Sequence, residues 1–397
     1  MVSKKILFIS WEGGMGHITR DVAIAAELRR QRPDIELSWL ASPMASRVLD
    51  EEREALLPES SLSVDYNAVG EKALGEFSVN ILKFVLYCGK AWARNVRLFT
   101  DVIAKYDFDL IIGDESYEVL MALDSGKTEI RCPFIMIHDL IGVTAMSWNP
   151  LERLLSYWQN WKWARFKTQD RTILNFFVGE PEDVPDEKFG WLLRNKRDWA
   201  VANCKFLGYV IRFDPEQYQD KEAVRADLGY DKRPLVICAL GGSSAGKELL
   251  ELCGRSLPLV KRHIPSIRMV MVCGTRLSGK SLDLPEGIDV REYIPNLYQH
   301  FAASDLAVIV GGGTSVTELT ALKTPFFYFP LEKQFEQQIL IPHRLSRHRA
   351  GIRMDYRQTT PEILAEQILA NIGTEAQFAP IPVDGAQQAV RYISQLI

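Results

Sequence analysis

Three glycine clusters each follow an apolar run and precede a stretch with helical spacing: Gly13-Gly14-Met15-Gly16, Gly241 to Gly246, and Gly311-Gly312-Gly313-Thr314. Glycine lets a backbone approach a ligand closely, and the unpaired amides and dipole of a helix start favour an anion. The third cluster thus suits a diphosphate held by the N–H groups around Gly312, Gly313, Thr314 and Ser315. Glu318, one helical turn past Thr314, can accept both hydroxyls of a ribose, or can be a solvated helix glutamate. Residues 330–338, PLEKQFEQQ, carry Glu332, Glu336, Gln337 and Gln338, whose paired hydrogen-bonding atoms match sugar hydroxyls; an ordinary polar helix start is the alternative. In the second cluster, GGSSAGK, Gly242, Ser243 and Ser244 offer amides and hydroxyls to the same kind of ligand. It nearly spells a triphosphate-binding loop, but Glu248 stands where Ser or Thr would hold magnesium, and its charge would repel a triphosphate.

His17 closes the first cluster behind Gly14 and Gly16. Its near-neutral pKa suits a general base; contact with phosphate or acceptor, or a structural role, are the other readings. Asp114, in DLIIGDES, follows an apolar run and can orient the imidazole, with Glu115 as a rival. His138 follows the run Phe134 to Ile137 and either joins this site or is a plain turn histidine. Asp107-Phe108-Asp109 is a D-x-D triplet, but it precedes a strand, where polar residues commonly sit, so no metal site is expected. Residues 146–171 hold Trp148, Trp158, Trp161 and Trp163 among Arg153, Lys162, Arg165, Lys167 and Arg171. Such a helix can lie on an anionic membrane, close an acceptor pocket by stacking (Trp148), or pack with its charges snorkelling outward.

These residues need scaffolds. Ile6–Ser10, Leu235–Leu240 and Leu306–Val310 read as buried parallel strands, and Glu36–Leu40, Leu110–Ile112, Phe134–Ile137, Ile267–Cys273 and Phe326–Phe329 add more. Strands alternating with helices imply right-handed βαβ units and doubly wound sheets. At 397 residues the chain accommodates two domains. The charged stretch from Asp214 to Arg233 marks the boundary, giving an N-terminal domain over 1–213, a C-terminal domain over 214–384, and a last helix over 385–397 that can pack back on the first domain. A net charge of −4 argues against nucleic acid as a partner. The six cysteines form no C-x-x-C pair and read as reduced core thiols of a cytosolic protein. The opening MVSKKILFIS is too short in its apolar run for a signal peptide, and no run approaches the ~20 apolar residues of a spanning helix.

Taken in order, GGMGH (13–17), GGSSAG (241–246) and GGGTSVTELTALKTPFFYFPLEKQFEQQ (311–338) resemble the glycine loops and donor signature of GT-B glycosyltransferases. The likeness is to the lipid-linked N-acetylglucosaminyltransferases of peptidoglycan synthesis, the galactolipid synthases and the glucuronosyltransferases. It covers both domain cores and leaves roughly 69–109 and 145–212 unmatched. It implies an α/β GT-B fold of two Rossmann-like domains facing across a cleft. It further implies a diphosphate on Gly312 to Ser315, a ribose on Glu318, a donor sugar on Gln337 and Gln338, and a base lying against Tyr293 and Ile294. In plant and antibiotic relatives the histidine and aspartate matching His17 and Asp114 act as a dyad. The chain departs from many relatives at Val310, where they carry His or Ser, and at Ile341, where they carry Asn; both positions bear on the donor sugar.

The expected activity is inverting transfer of a hexose from a nucleoside-diphosphate sugar, with uridine implied by the resemblance, to an acceptor hydroxyl. The acceptor is a lipid, a glycan or a small natural product. No cofactor or metal is expected beyond the UDP-sugar co-substrate, and the place is the cytoplasm or the inner membrane face. A nucleotide-sugar 2-epimerase and a non-catalytic nucleotide-sugar binding subunit are the competing readings.

Overall fold

The computed structural model describes residues 3–10, 14–65, 72, 74–75, 77–79, 81–166, 172–241 and 245–397, with backbone only at 74–75, 78–79, 81–86 and 88. Contacts divide the chain into two units. The first comprises Met1–Ala73, Ile81–Arg212 and Pro382–Ile397; the second comprises Leu74–Asn80 and Phe213–Ile381.

In chain order the strands are β1 (Lys4–Ser10), β2 (Ile35–Ala41), β3 (Leu74–Gly75), β4 (Ser78–Val79), β5 (Leu110–Asp114), β6 (Phe134–His138), β7 (Ile173–Phe177), β8 (Cys204–Phe206), β9 (Leu235–Ala239), β10 (Arg268–Val272), β11 (Asp289–Arg291), β12 (Leu306–Val310), β13 (Phe326–Phe329) and β14 (Ile352–Arg353). One six-stranded parallel sheet runs β2-β1-β5-β6-β7-β8 and the other β11-β10-β9-β12-β13-β14. The architecture is α/β and doubly wound. Counted by appearance within the sheet, the second sheet has the 3-2-1-4-5-6 order of a dinucleotide-binding fold.

Alternation along the strands explains the layers. Ile6 and Phe8 of β1 enter one core, with Ile18, Val22 and Leu28, while Leu7 and Ile9 enter another, with Leu98, Phe99 and Val102. In β9, Val236 and Cys238 face one core and Leu235 and Ile237 the other. Apolar residues on both faces demand helices on both faces. The helix Met15–Gln31 supplies its part through Ile18, Val22, Ala25 and Leu28, and Arg29 and Arg30 sit where its dipole is negative.

The unit limits differ from the sequence expectation at two places. Leu74–Asn80, assigned above to the N-terminal domain, belongs to the second unit. Its Phe77 is buried, stacks on Tyr356 at 4.4 Å, and offers its carbonyl to the Glu332 N–H at 3.0 Å. Burying such a ring contributes about 2 kcal/mol. Pro382–Asp384, assigned above to the C-terminal domain, belongs to the first: Tyr209 N–H donates to Pro382 O at 2.8 Å, and Val210 bridges Asp384. The helix Gly385–Ile393 that follows buries Ala386, Ala389, Val390 and Ile393 in the core beside Ile18 and Val22. β3, β4, β7, β8, β11 and β14 were not foreseen; all but β7 are only two or three residues long and carry too little pattern.

Candidate active site

In each sheet the strand order reverses beside the first strand of that sheet, and loops leaving the carboxyl ends diverge there. In the first unit that point lies between β1 and β5. Gly14 precedes the helix Met15–Gln31 with φ 115°, which favours glycine, and a Cβ there would stand 3.7 Å from the His17 ring. Gly16 lies in the first turn. His17 Nδ1 is 3.1 Å from Oδ2 of Asp114, the last residue of β5, so the structure brings these two predicted residues together.

Arg20 and Asp139 were not singled out from the sequence and belong to the same cluster. The Arg20 guanidinium donates through Nε to Asp114 Oδ2 at 3.1 Å, through Nη2 to Asp114 Oδ1, and through Nη1 to Asp139 Oδ2 at 3.1 Å. Its Nη2 also lies 2.9 Å from His17 Nδ1. The signals were present: Arg20 is three residues after His17 on one helix face, and Asp139 directly follows β6, the neighbour of β5. Glu115 follows Asp114 in a left-handed conformation, φ 45°, and is buried. Its Oε1 accepts from the Tyr117 hydroxyl at 2.8 Å and the Asp139 N–H at 3.4 Å, while Oε2 stands 3.9 Å from His17 Nε2.

Charge follows from this packing. Burial, and then the Asp139 carboxylate, push Glu115 well above the usual carboxylate range. Burial, and then Asp114, do the same to Asp21, whose Oδ2 accepts from Ser10 at 2.5 Å. Burial is the largest influence on Asp114 and Asp139 and opposes their ionisation, but Arg20 together with His17 and the hydrogen bonds of each carboxylate outweighs it, and both stay below their usual range. At His17 burial, the largest influence, favours the neutral ring and Arg20 adds to it; the charge and hydrogen bond of Asp114, together with Asp139, outweigh both, and the net direction is upward from 6.5.

His17, Glu115 and Asp139 present donor atoms within 4.8 Å of one another, the set among the described residues that could hold a metal ion. The Arg20 guanidinium already lies on Asp139 and supplies positive charge at that point. The D-x-D triplet lies at the other end of the sheet, where Asp109 binds the Lys4 ammonium and the Lys5 N–H, both at 2.9 Å.

His138 is not at the surface. It is 1% exposed, Nε2 faces Asn175 Oδ1 at 2.9 Å, and the Tyr117 and Trp163 rings lie at 5.8 and 5.7 Å. Burial pushes its pKa down to about 4, so it is a neutral core histidine and not a surface contact for an acceptor. Trp148 is 88% exposed, with the Arg153 guanidinium 5.3 Å over its ring. It starts an exposed stripe that continues through Leu151, Leu154, Trp158, Lys162 and Arg165 on the helix Pro150–Arg165. Tyr157 donates to Trp191 O at 3.0 Å, which sets exposed Trp191 and Leu192 beside the stripe.

The second unit reverses between β9 and β12. Gly242, Ser243 and Ser244 lie outside the described residues. Gly246, φ 98°, caps the helix Lys247–Lys261, and a Cβ there would meet Val310 at 2.6 Å. Gly312 caps the helix Gly313–Ala321 with no side-chain hydrogen bond, so no side chain of the cap residue covers the first-turn amides of Gly313, Thr314 and Ser315. Glu318 is buried on that helix. The Glu336 carboxylate points toward its start, 3.5 Å from where a Gly313 Cβ would stand, and accepts from Gln334 at 3.0 Å. The turn Glu336–Leu340 is a π-helix, running directly into Pro342. Proline has no N–H to continue the α-helical ladder back to Gln338, and the wider turn accommodates this.

The two glutamines are partly committed to the protein. Gln337 Oε1 accepts from Leu331 N–H at 2.9 Å. Gln338 donates to Pro330 O and Leu331 O, each at 3.0 Å, and accepts from Arg353 at 2.6 Å. The Gln338 carboxamide thus holds the segment after β13. Tyr293 and Ile294 follow β11, and Ile294 packs into the core with Phe301.

Residues 236–389 match the model of the glycosyltransferase family 28 C-terminal domain. The chain is 25% identical to an uncharacterised glycosyltransferase of Methanopyrus kandleri over 74% of this chain and 77% of the relative. It is 24% identical to the UDP-N-acetylglucosamine–N-acetylmuramyl-(pentapeptide) pyrophosphoryl-undecaprenol N-acetylglucosamine transferase of Acetivibrio thermocellus, over 91% of this chain and 88% of the relative. The crystal structure of the kitacinnamycin glycotransferase shares the fold, with a TM-score of 0.62 at 16% identity, covering 98% of this chain and 94% of that one.

Proposed function

The chain is a glycosyltransferase of the GT-B type, an enzyme that transfers sugars, and on that premise we propose that it moves a hexose from a UDP-sugar to an acceptor hydroxyl with inversion and without a metal. The observation that carries the reading is the His17–Asp114 pair at the carboxyl end of the first sheet. In the proposed reaction Asp114 holds Nδ1–H, and Nε2 takes the proton from the acceptor hydroxyl. The oxygen attacks the anomeric carbon as the bond to the diphosphate breaks. The departing negative charge is received by the amides of Gly313, Thr314 and Ser315 at the start of a nine-residue helix. Gln337, Glu336 and the backbone at Tyr293 and Ile294 are the remaining donor contacts proposed.

The acceptor proposed is lipid-linked. The A. thermocellus relative is named for a pyrophosphoryl-undecaprenol acceptor. The exposed Trp148–Leu151–Leu154–Trp158 stripe, with Arg153, Lys162 and Arg165, suits peripheral contact with an anionic leaflet. Among the described residues no helix is long and apolar enough to cross a membrane. The test is a panel of UDP-sugars with lipid-linked and soluble acceptors, read by mass spectrometry, with the anomeric configuration set by NMR. A glycosylated acceptor of inverted configuration, formed in EDTA, supports the reading. Sugar epimerised without transfer, or a retained configuration, overturns it. Flotation with vesicles containing about a third anionic lipid, lost in Leu154→Glu and Trp158→Glu, tests the membrane contact.

A further inference from the structure

Arg20 is the most connected side chain of the first unit's site. It joins the ends of two neighbouring strands, β5 through Asp114 and β6 through Asp139, to the helix turn that bears His17. A lysine could reach one carboxylate, whereas the planar guanidinium addresses both at fixed angles. His17 Nδ1 is the contested atom. Asp114 Oδ2 at 3.1 Å requires a proton on it, whereas Arg20 Nη2 at 2.9 Å would require its lone pair. A neutral imidazole can satisfy only one of them, and the choice decides whether Nε2 carries a lone pair or a hydrogen.

We propose that Arg20 is the positioning residue of this site, fixing Asp114 and Asp139 around His17 so that Nδ1 keeps its proton toward Asp114 and Nε2 is the basic nitrogen. Three of the five guanidinium N–H groups bond carboxylates without recourse to Nδ1. Nε and Nη2 take both oxygens of Asp114, and Nη1 takes Asp139. Asp114 retains Oδ2 for His17. The charged and titratable groups acting on His17 come from three elements: Arg20 and Asp21 on its own helix, Asp114 and Glu115 at the end of β5, and Asp139 at the end of β6. Burial and neighbouring carboxylates oppose ionisation of Glu115 and Asp21, whereas Asp114 and Asp139, the two carboxylates that Arg20 bonds, are favoured in the charged form. Arg20 therefore also moderates the pull of these carboxylates on the imidazole.

The inference rests on the proposed role of His17 as base, and its test separates the two. The ¹⁵N spectrum of His17 in the wild-type protein reports the neutral tautomer without any substrate. Protonation at Nδ1 is expected, and protonation at Nε2 overturns the inference. In Arg20→Gln the imidazole titration moves to higher pH. The acid limb of kcat for UDP release from UDP-N-acetylglucosamine moves with it. The rate at neutral pH falls about tenfold for every pH step of one that the limb travels, while UDP affinity stays within about twofold. In Arg20→Lys the limb returns toward wild type and the plateau stays low, because charge is restored without the two-carboxylate geometry. Loss of activity with neither the titration nor the limb moved makes Arg20 a merely structural residue and ends the proposal. Full activity in His17→Ala would defeat the base reading, and the tautomer measurement would still decide the position of the proton.

Discussion

The two units solve the same topological problem with opposite chemistry. Each sheet reverses its strand order beside its first strand. In the first unit that point is crowded with side-chain charge: His17, Arg20, Asp114, Glu115 and Asp139 all lie within one hydrogen-bonded cluster. In the second it is lined by glycines, small hydroxyl residues and the start of the helix Gly313–Ala321. Moving a proton needs ionisable groups whose pKa values are set by burial and fixed neighbours. Holding a diphosphate needs main-chain amides and room for the ligand, which a side chain would fill.

The sharpest way to break this contrast is His17→Ala. It should lower kcat by about 10²–10⁴-fold and leave UDP affinity, measured by calorimetry, within about twofold. A parallel loss of affinity would mean that the first unit handles the donor as well. The next largest effect concerns acid stability. His138 is folded with its pKa near 4 against an ordinary 6.5. Its neutral form stabilises the fold above 6.5, and that contribution is lost as pH falls through 6.5 toward 4, by about 3 kcal/mol at the lower end. Chemical denaturation across that range should show the loss, and His138→Gln should flatten that part of the slope.

Gln338→Ala should act on the second unit mainly through stability. Removing a carboxamide that holds Pro330, Leu331 and Arg353 costs about 1–3 kcal/mol, read as a lower denaturation midpoint, with little change in preference among UDP-sugars. A switch in sugar preference at unchanged stability would return Gln338 to the role that resemblance gave it. The smallest effect is the most diagnostic. Thr314→Asp puts an anion at the start of Gly313–Ala321, which favours the helix by roughly 0.3–1 kcal/mol and repels a diphosphate. UDP should bind about tenfold more weakly, by some 1.4 kcal/mol, while the midpoint holds or rises. Unchanged UDP binding would place the diphosphate elsewhere.

Much of this was legible in the chain. Continuous apolar runs bounded by glycine or proline gave β1, β5, β9, β12 and β13 within a few residues, because a strand buried on both faces leaves no polar alternation to misread. Asp114 was legible because it ends such a run, and His17 because it closes the glycine cluster that follows one. Arg20 and Asp139 were passed over because an arginine on a helix and an aspartate after a strand are, by themselves, ordinary surface residues. Their significance depends on β5 and β6 being neighbours, a fact of sheet order and not of local sequence. The burial of His138 was not legible for the same reason: Trp163, which packs against it, is 25 positions away.

The sequence by itself determined the elements, their alternation and the glycine loops, since each rests on hydrophobic period and backbone freedom within about twenty residues. Tertiary structure alone decided which ionisable groups share a proton, which are buried neutral and which carboxamides are already spent. Those properties depend on distances of 3–4 Å between groups on different strands and on exclusion of water around them, and neither is encoded in any local stretch of chain.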